Sequence, residues 1–124
     1  MVVTVTASIC VGNDGLFYIN DAYHETFYSY DPAEDSLNTL EKIHYCGNKI
    51  FAGRGDEILI GESVIYSYDT KTGNLTKLLD FYEHGYMVSF ADLVYRDSDG
   101  NVRVYFEDYE GGSTQKCAFL KLKK

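Results

Sequence analysis

The sequence predicts an all-β protein made of antiparallel, four-stranded meanders that repeat along the chain. Three observations carry this. Apolar, Tyr and Thr residues come in runs of four to eight, bounded by Gly, Asn and Asp. No stretch of ten or more residues keeps the 3.6-residue spacing of an amphipathic helix. Whole segments recur about 40 residues apart, and such a period marks a repeat architecture.

The elements follow in order. Ile9-Cys10-Val11-Gly12 leads into the turn Asn13-Asp14-Gly15 and the run Leu16-Phe17-Tyr18-Ile19. Gly supplies positive φ and Asn or Asp tolerates it, as hairpin turns require. Phe27-Tyr28-Ser29-Tyr30-Asp31 is a third run and Leu37-Asn38-Thr39-Leu40 a fourth, with a loop at Pro32-Ala33-Glu34-Asp35 between them. The pattern then restarts. Ile50-Phe51-Ala52-Gly53 matches Ile9–Gly12 at an offset of 41 residues. Ile65-Tyr66-Ser67-Tyr68-Asp69 matches Phe27–Asp31 at 38, as Leu75-Thr76-Lys77-Leu78 matches Leu37–Leu40. Strands are expected over Lys49–Ala52, Glu57–Gly61, Ser63–Asp69 and Asn74–Phe81. A third copy begins near Met87, with Leu93-Val94-Tyr95, the turn Ser98-Asp99-Gly100, the strand Val102–Phe106 and the run Cys117-Ala118-Phe119-Leu120. The chain reads as one domain of three units, approximately 7–41, 42–82 and 83–124. Residues 2–6 serve as a possible closing strand for the third unit.

Four short strands in each unit of about 40 residues are the pattern of a β-propeller blade. Tyr28-Ser29-Tyr30-Asp31-Pro32, followed by Leu37 and Leu40, resembles the third and fourth strands of a kelch-type blade. Tyr66-Ser67-Tyr68-Asp69 through Thr72-Gly73 to Leu75 and Leu78 is similar, and is also close to the turns of bacterial propellers. Two positions depart from kelch. Leu37 and Leu75 stand where the blade tryptophan would be, and Asn20-Asp21 and Gly61-Glu62 replace the double glycine. The competing architecture is a single up-and-down barrel or sandwich. Three blades do not readily close a ring of the usual four to eight. Either two chains join head to tail into a six-bladed homodimer, or the units belong to a longer chain. The missing fourth strand of the third unit favours the dimer.

Composition narrows the function. Apolar residues make up 45% of the 124, which excludes a disordered tail. No apolar run approaches a membrane span, and residues 1–6 lack the basic start of a signal peptide. Cys10, Cys46 and Cys117 read as reduced thiols of a cytoplasmic protein, with a Cys10–Cys46 disulfide as the alternative. The net charge of −8 is concentrated: residues 1–41 hold seven acids and no Lys or Arg. With no basic stripe, direct nucleic-acid binding is not expected.

The chemistry is sparse. His44, Tyr45, His84 and Tyr86 follow the last strands of the first two units and form a candidate binding rim. A metal there would need His44, Cys46 and His84 to converge, and ordinary loop residues are the simpler reading. Asp97-Ser98-Asp99-Gly100-Asn101 has the wrong spacing for a calcium loop and reads as a hairpin turn. Asp31 and Asp69 recur with the repeat, which suits carboxylates capping their own turns. Asp31, Glu34 and Asp35 form a candidate acidic partner surface. No nucleophile motif or phosphate loop is present, so neither catalysis nor a cofactor is implied. The expected function is a non-enzymatic binding or assembly module that holds a protein or small ligand. The alternatives are a ligand-binding or enzymatic subunit completed in an oligomeric ring, and an acidic inhibitor mimicking nucleic acid.

Overall fold

The computed structural model describes residues 7–21, 24, 26–44, 49–88, 91–108 and 114–120. Among these residues the chain is all-β, with eleven strands in three antiparallel sheets. The first sheet holds β1 (Ala7–Val11), β2 (Phe17–Asp21), β3 (Thr26–Asp31) and β4 (Ser36–His44) in chain order. The second repeats this with β5 (Lys49–Ala52), β6 (Glu57–Gly61), β7 (Val64–Asp69) and β8 (Leu75–Asp80). The third holds β9 (Ala91–Arg96), β10 (Val102–Asp108) and β11 (Thr114–Leu120), with β10 central. One 3-10 turn, Tyr82–His84, lies between the second and third sheets.

The hydrogen-bonded order breaks after β4 and after β8. Three separate meanders result, rather than one barrel or a two-sheet sandwich. The proposed closing strand at residues 2–6 lies outside the described residues. Strands β5 and β6 fall on the expected residues, and β7 starts one residue later. Strand β4 runs on to His44, past residue 41.

The first hairpin of each sheet is built alike. Gly12 N–H donates to the Leu16 carbonyl, Gly53 N–H to Glu57, and Asp97 N–H to Asn101, each at 2.9 Å. Gly15 and Gly100 occupy the same place in their loops, with φ of 82° and 84°. Only a residue without Cβ adopts that conformation freely. Counting from the shared bond makes Ile9, Ile50 and Val94 equivalent, and likewise Phe17, Ile58 and Val102. Strand pairing agrees: Ile9 faces Ile19, Ile50 faces Ile60 and Val94 faces Val104.

Residues directly opposite across a ladder share a face. Each sheet therefore has a leading face and a trailing face. In the first sheet Ile9, Phe17, Ile19 and Tyr30 lead, and Cys10, Tyr18, Phe27 and Ser29 trail. In the second, Ile50, Ile58, Ile60 and Tyr68 lead, and Phe51, Leu59 and Ile65 trail. The trailing face of the first sheet packs on the leading face of the second, in a cluster of Tyr18, Phe27, Ile50, Ile58, Ile60 and Tyr68. Phe27 and Tyr68 rings meet at 6.1 Å with an interplanar angle of 56°, so the repeated tyrosine packs between sheets. The trailing face of the second sheet packs on the leading face of the third, bringing Leu59, Ile65 and Leu79 against Val94, Val102, Val104 and Phe106. Burying each such side chain contributes ~1.5–3 kcal/mol.

Polar contacts also repeat between sheets. Asn13 Nδ2 donates to the Gly53 carbonyl at 2.9 Å and the Gly55 carbonyl at 3.0 Å. Arg54, equivalent to Asn13, donates to the Asp97 carbonyl at 3.4 Å. In the first two sheets the second residue of the loop thus reaches the loop of the next sheet.

Candidate binding surface

Strand β5 lies beside both β1 and β9. These three strands line an open cleft of about 590 Å³, with Ser8, Ile9, Val11, Lys49, Leu93 and Tyr95 among its walls. Ile9, Val11 and Leu93 remain exposed there. Ile9 and Val11 belong to the leading face of the first sheet, where Phe17 packs on Tyr30 at 6.1 Å. Ile9 is 57% exposed and Phe17 37%, whereas Ile50 is 3% and Ile58 1%. Val94 and Val102 are fully buried. These two apolar positions are covered in two sheets and open in one, whereas Ile19, on the same face of the first sheet, is buried at 3%.

The groups around the cleft are quiet chemically. Burial, reinforced by the Asp14 charge, pushes the Cys10 thiol up to about 12. Such a buried thiol in apolar surroundings packs as a small hydrophobic side chain. Burial and the hydrogen bond that Tyr18 OH donates to Asp14 at 2.6 Å also raise the tyrosine. Among the described residues no three His, Cys, Asp or Glu gather to hold a metal ion. No described helix is long and apolar enough to cross a membrane.

Two ion pairs among the described residues join the second and third sheets: a surface pair between Lys49 and Asp92 at 4.0 Å, and a largely buried one between Glu57 and Arg96. Arg96 donates to both Glu57 carboxylate oxygens, at 2.7 and 2.6 Å, and to the Gly100 carbonyl at 2.8 Å. Ser67 Oγ donates to the same carboxylate. Burial would raise Glu57, but the Arg96 and Ser67 bonds overcome it and hold the carboxyl below its usual range. Each partner is about one-seventh exposed, at 15% for Arg96 and 13% for Glu57. The first and second sheets place Leu16 and Ala52 at the equivalent positions. The sequence gives little sign of this pair, because its members stand 39 residues apart. A break in the apolar repeat, Glu and Arg where Leu and Ala stand, is the available signal.

Of the expected rim residues, His84 and Tyr86 are described with their side chains. His44 ends β4 and pairs with Thr26 across the ladder, while its side chain lies outside the description. Tyr45 and Cys46 lie outside the described residues. His84 is exposed on the 3-10 turn, so the two histidines do not hold equivalent places. Tyr86 turns inward, with its ring edge-on to Phe106 at 5.4 Å. Asp31, Glu34 and Asp35 lie on the β3–β4 turn. There Asp31 accepts Ala33 N–H at 2.9 Å and Asp35 accepts Tyr30 OH at 2.6 Å. Asp69 repeats the capping role, accepting Lys71 and Thr72 N–H. Asp97 does so in the third sheet, accepting Asp99 and Asn101 N–H at 3.0 Å.

A buried carboxylate was missed by sequence reasoning. Asp21, 1% exposed, holds His24 through Nδ1 at 2.7 Å and the backbone N–H at 3.0 Å. Its position at the end of β2 makes it a clamp on the β2–β3 connection. No known protein family matches the sequence, and no curated protein was found to be similar to it.

Proposed function

We propose that the chain is a non-enzymatic assembly module on a propeller-like β scaffold, binding a protein surface over the leading face of its first sheet. The observation that carries this is the contrast between Ile9 and Phe17, exposed, and Ile50 and Ile58, buried. A monomeric soluble protein rarely leaves a contiguous apolar patch without a use. Oxidative footprinting tests the reading as concentration rises. Ile9, Phe17 and Tyr30 are expected to become protected, while Tyr82, which is 74% exposed, keeps its labelling. Equal labelling of Ile9 and Phe17 at every concentration would overturn it.

The cleft lined by β1, β5 and β9 favours a second reading, in which a small apolar ligand binds where the innermost strands meet. Ligand sites are concave and mostly apolar with a few polar groups, and here Lys49 supplies the charge beside Ile9 and Leu93. A fragment screen read by chemical shifts of Val11, Lys49 and Leu93 separates the two. Shifts confined to these residues support ligand binding. Their absence removes that reading.

A further inference from the structure

We infer that the partner of the open leading face is the trailing face of the third sheet in a second copy of this chain. The inference rests on the assembly reading above and adds the identity and orientation of the partner. The chain itself shows the rule twice. Each trailing face covers the leading face of the next sheet, first to second and second to third. Among the described residues two faces then remain outside that series: the leading face of the first sheet and the trailing face of the third. The trailing face of the third carries Leu93, Tyr95, Arg103 and Tyr105, by the pairing of Leu93 with Tyr105 and Tyr95 with Arg103. Leu93 is 42% exposed, and Tyr95 and Tyr105 stack at 6.3 Å with an interplanar angle of 9°. This is a flat aromatic surface with an apolar neighbour, a common composition for an interface core.

Ile50 N–H donates to Ser8 Oγ across the first interface at 2.9 Å. At the open ends the equivalents of Ser8 and Ile50 are Leu93 and Ile9, where an apolar contact takes the place of that bond. Asn13 and Arg54 each reach the carbonyl that opens the next loop. Ser98 stands at their place in the third sheet, and Gly12 offers the carbonyl in the first. Two copies related by a two-fold axis make this contact twice and bring six units into one ring.

The test uses two full-length variants. Ile9→Asp with Phe17→Asp blocks the leading face, and Leu93→Asp with Ser98→Asp blocks the trailing face. All four side chains are exposed, and circular dichroism checks that the strands persist. The unmodified chain is expected at twice the mass of one chain by light scattering, and each variant alone at the mass of one. Mixing the two variants is expected to restore the doubled mass, because the mixture holds one intact pair of faces. A single-chain mass for the unmodified protein at all concentrations overturns both the inference and self-assembly. If the leading-face variant is monomeric while the trailing-face variant still doubles, the partner assignment fails. The leading face then pairs with itself, and the assembly reading stands.

Discussion

Ile9 and Ile50 hold the same place in the same hairpin, yet one is mostly exposed and the other buried. Phe17 and Ile58 repeat the contrast one strand away. The difference does not lie in the residues, which are apolar in both sheets. It lies in the neighbour. A sheet precedes the second and supplies Tyr18 and Phe27 to cover it. At Ile9 and Phe17 the first sheet keeps the apolar pattern without that cover, although Ile19 on the same face is buried. Apolar side chains at a repeated position are accounted for by a repeated interface, and this turns an exposed surface into an argument about association.

The largest expected effect breaks the comparison outright. Ile58→Asp places a carboxylate among Tyr18, Phe27 and Tyr68 and should abolish cooperative thermal unfolding, since burying an unpaired charge costs several kcal/mol. Phe17→Asp, at the equivalent open position, should leave the melting transition of dilute protein within ~0.5 kcal/mol of the original. Similar losses at both positions would remove the distinction between a covered and an open face.

The two internal interfaces can be compared in the same way. Arg96→Ala leaves Glu57 half-satisfied and should cost about 3 kcal/mol in urea unfolding. Adding Glu57→Leu recreates the Leu16 and Ala52 arrangement of the first interface and should recover most of that loss. Little recovery would mean that the equivalent positions are not interchangeable. The pair also predicts a pH response. Glu57 is held below its usual range, so its contribution is complete above the unfolded carboxylate value of about 4.3 and falls as pH drops through the folded value. The double variant should show a shallower loss of stability below that pH.

A smaller effect tests how closely the second and third sheets approach. A Cβ at Gly61 would lie 3.1 Å from Ala91 Cβ and from Val94 Cγ2. Gly61→Val should cost ~1–3 kcal/mol by overpacking, measured by the same unfolding curves. At the equivalent place on the first sheet the chain carries Asn20, so the second interface is the tighter of the two.

The sequence made the strands legible because each is a short apolar run ended by turn chemistry that Gly15, Asp69 or Asp97 imposes locally. The repeat was readable where strings match, as from Ile9–Gly12 to Ile50–Gly53. It was weaker in the third unit, where Asp97 stands in place of Gly12 and Gly53, although the backbone bond is the same. The candidate rim fared differently. Tyr86 and His84 are near neighbours in sequence, but the turn after β8 sends one ring to Phe106 and leaves the other exposed. Such directions depend on contacts that no local pattern encodes. The Glu57–Arg96 pair and the open face were hidden for the same reason, since burial is set by which sheet lies opposite.

The central claim is that the leading face of the first sheet is an interface surface in the protein as it works. The mass of the unmodified chain in solution at micromolar concentration tests it most directly. The account predicts twice the 14.1 kDa of one chain, falling toward one on dilution. A mass of 14.1 kDa at every concentration, with Ile9 and Phe17 still accessible, would contradict it.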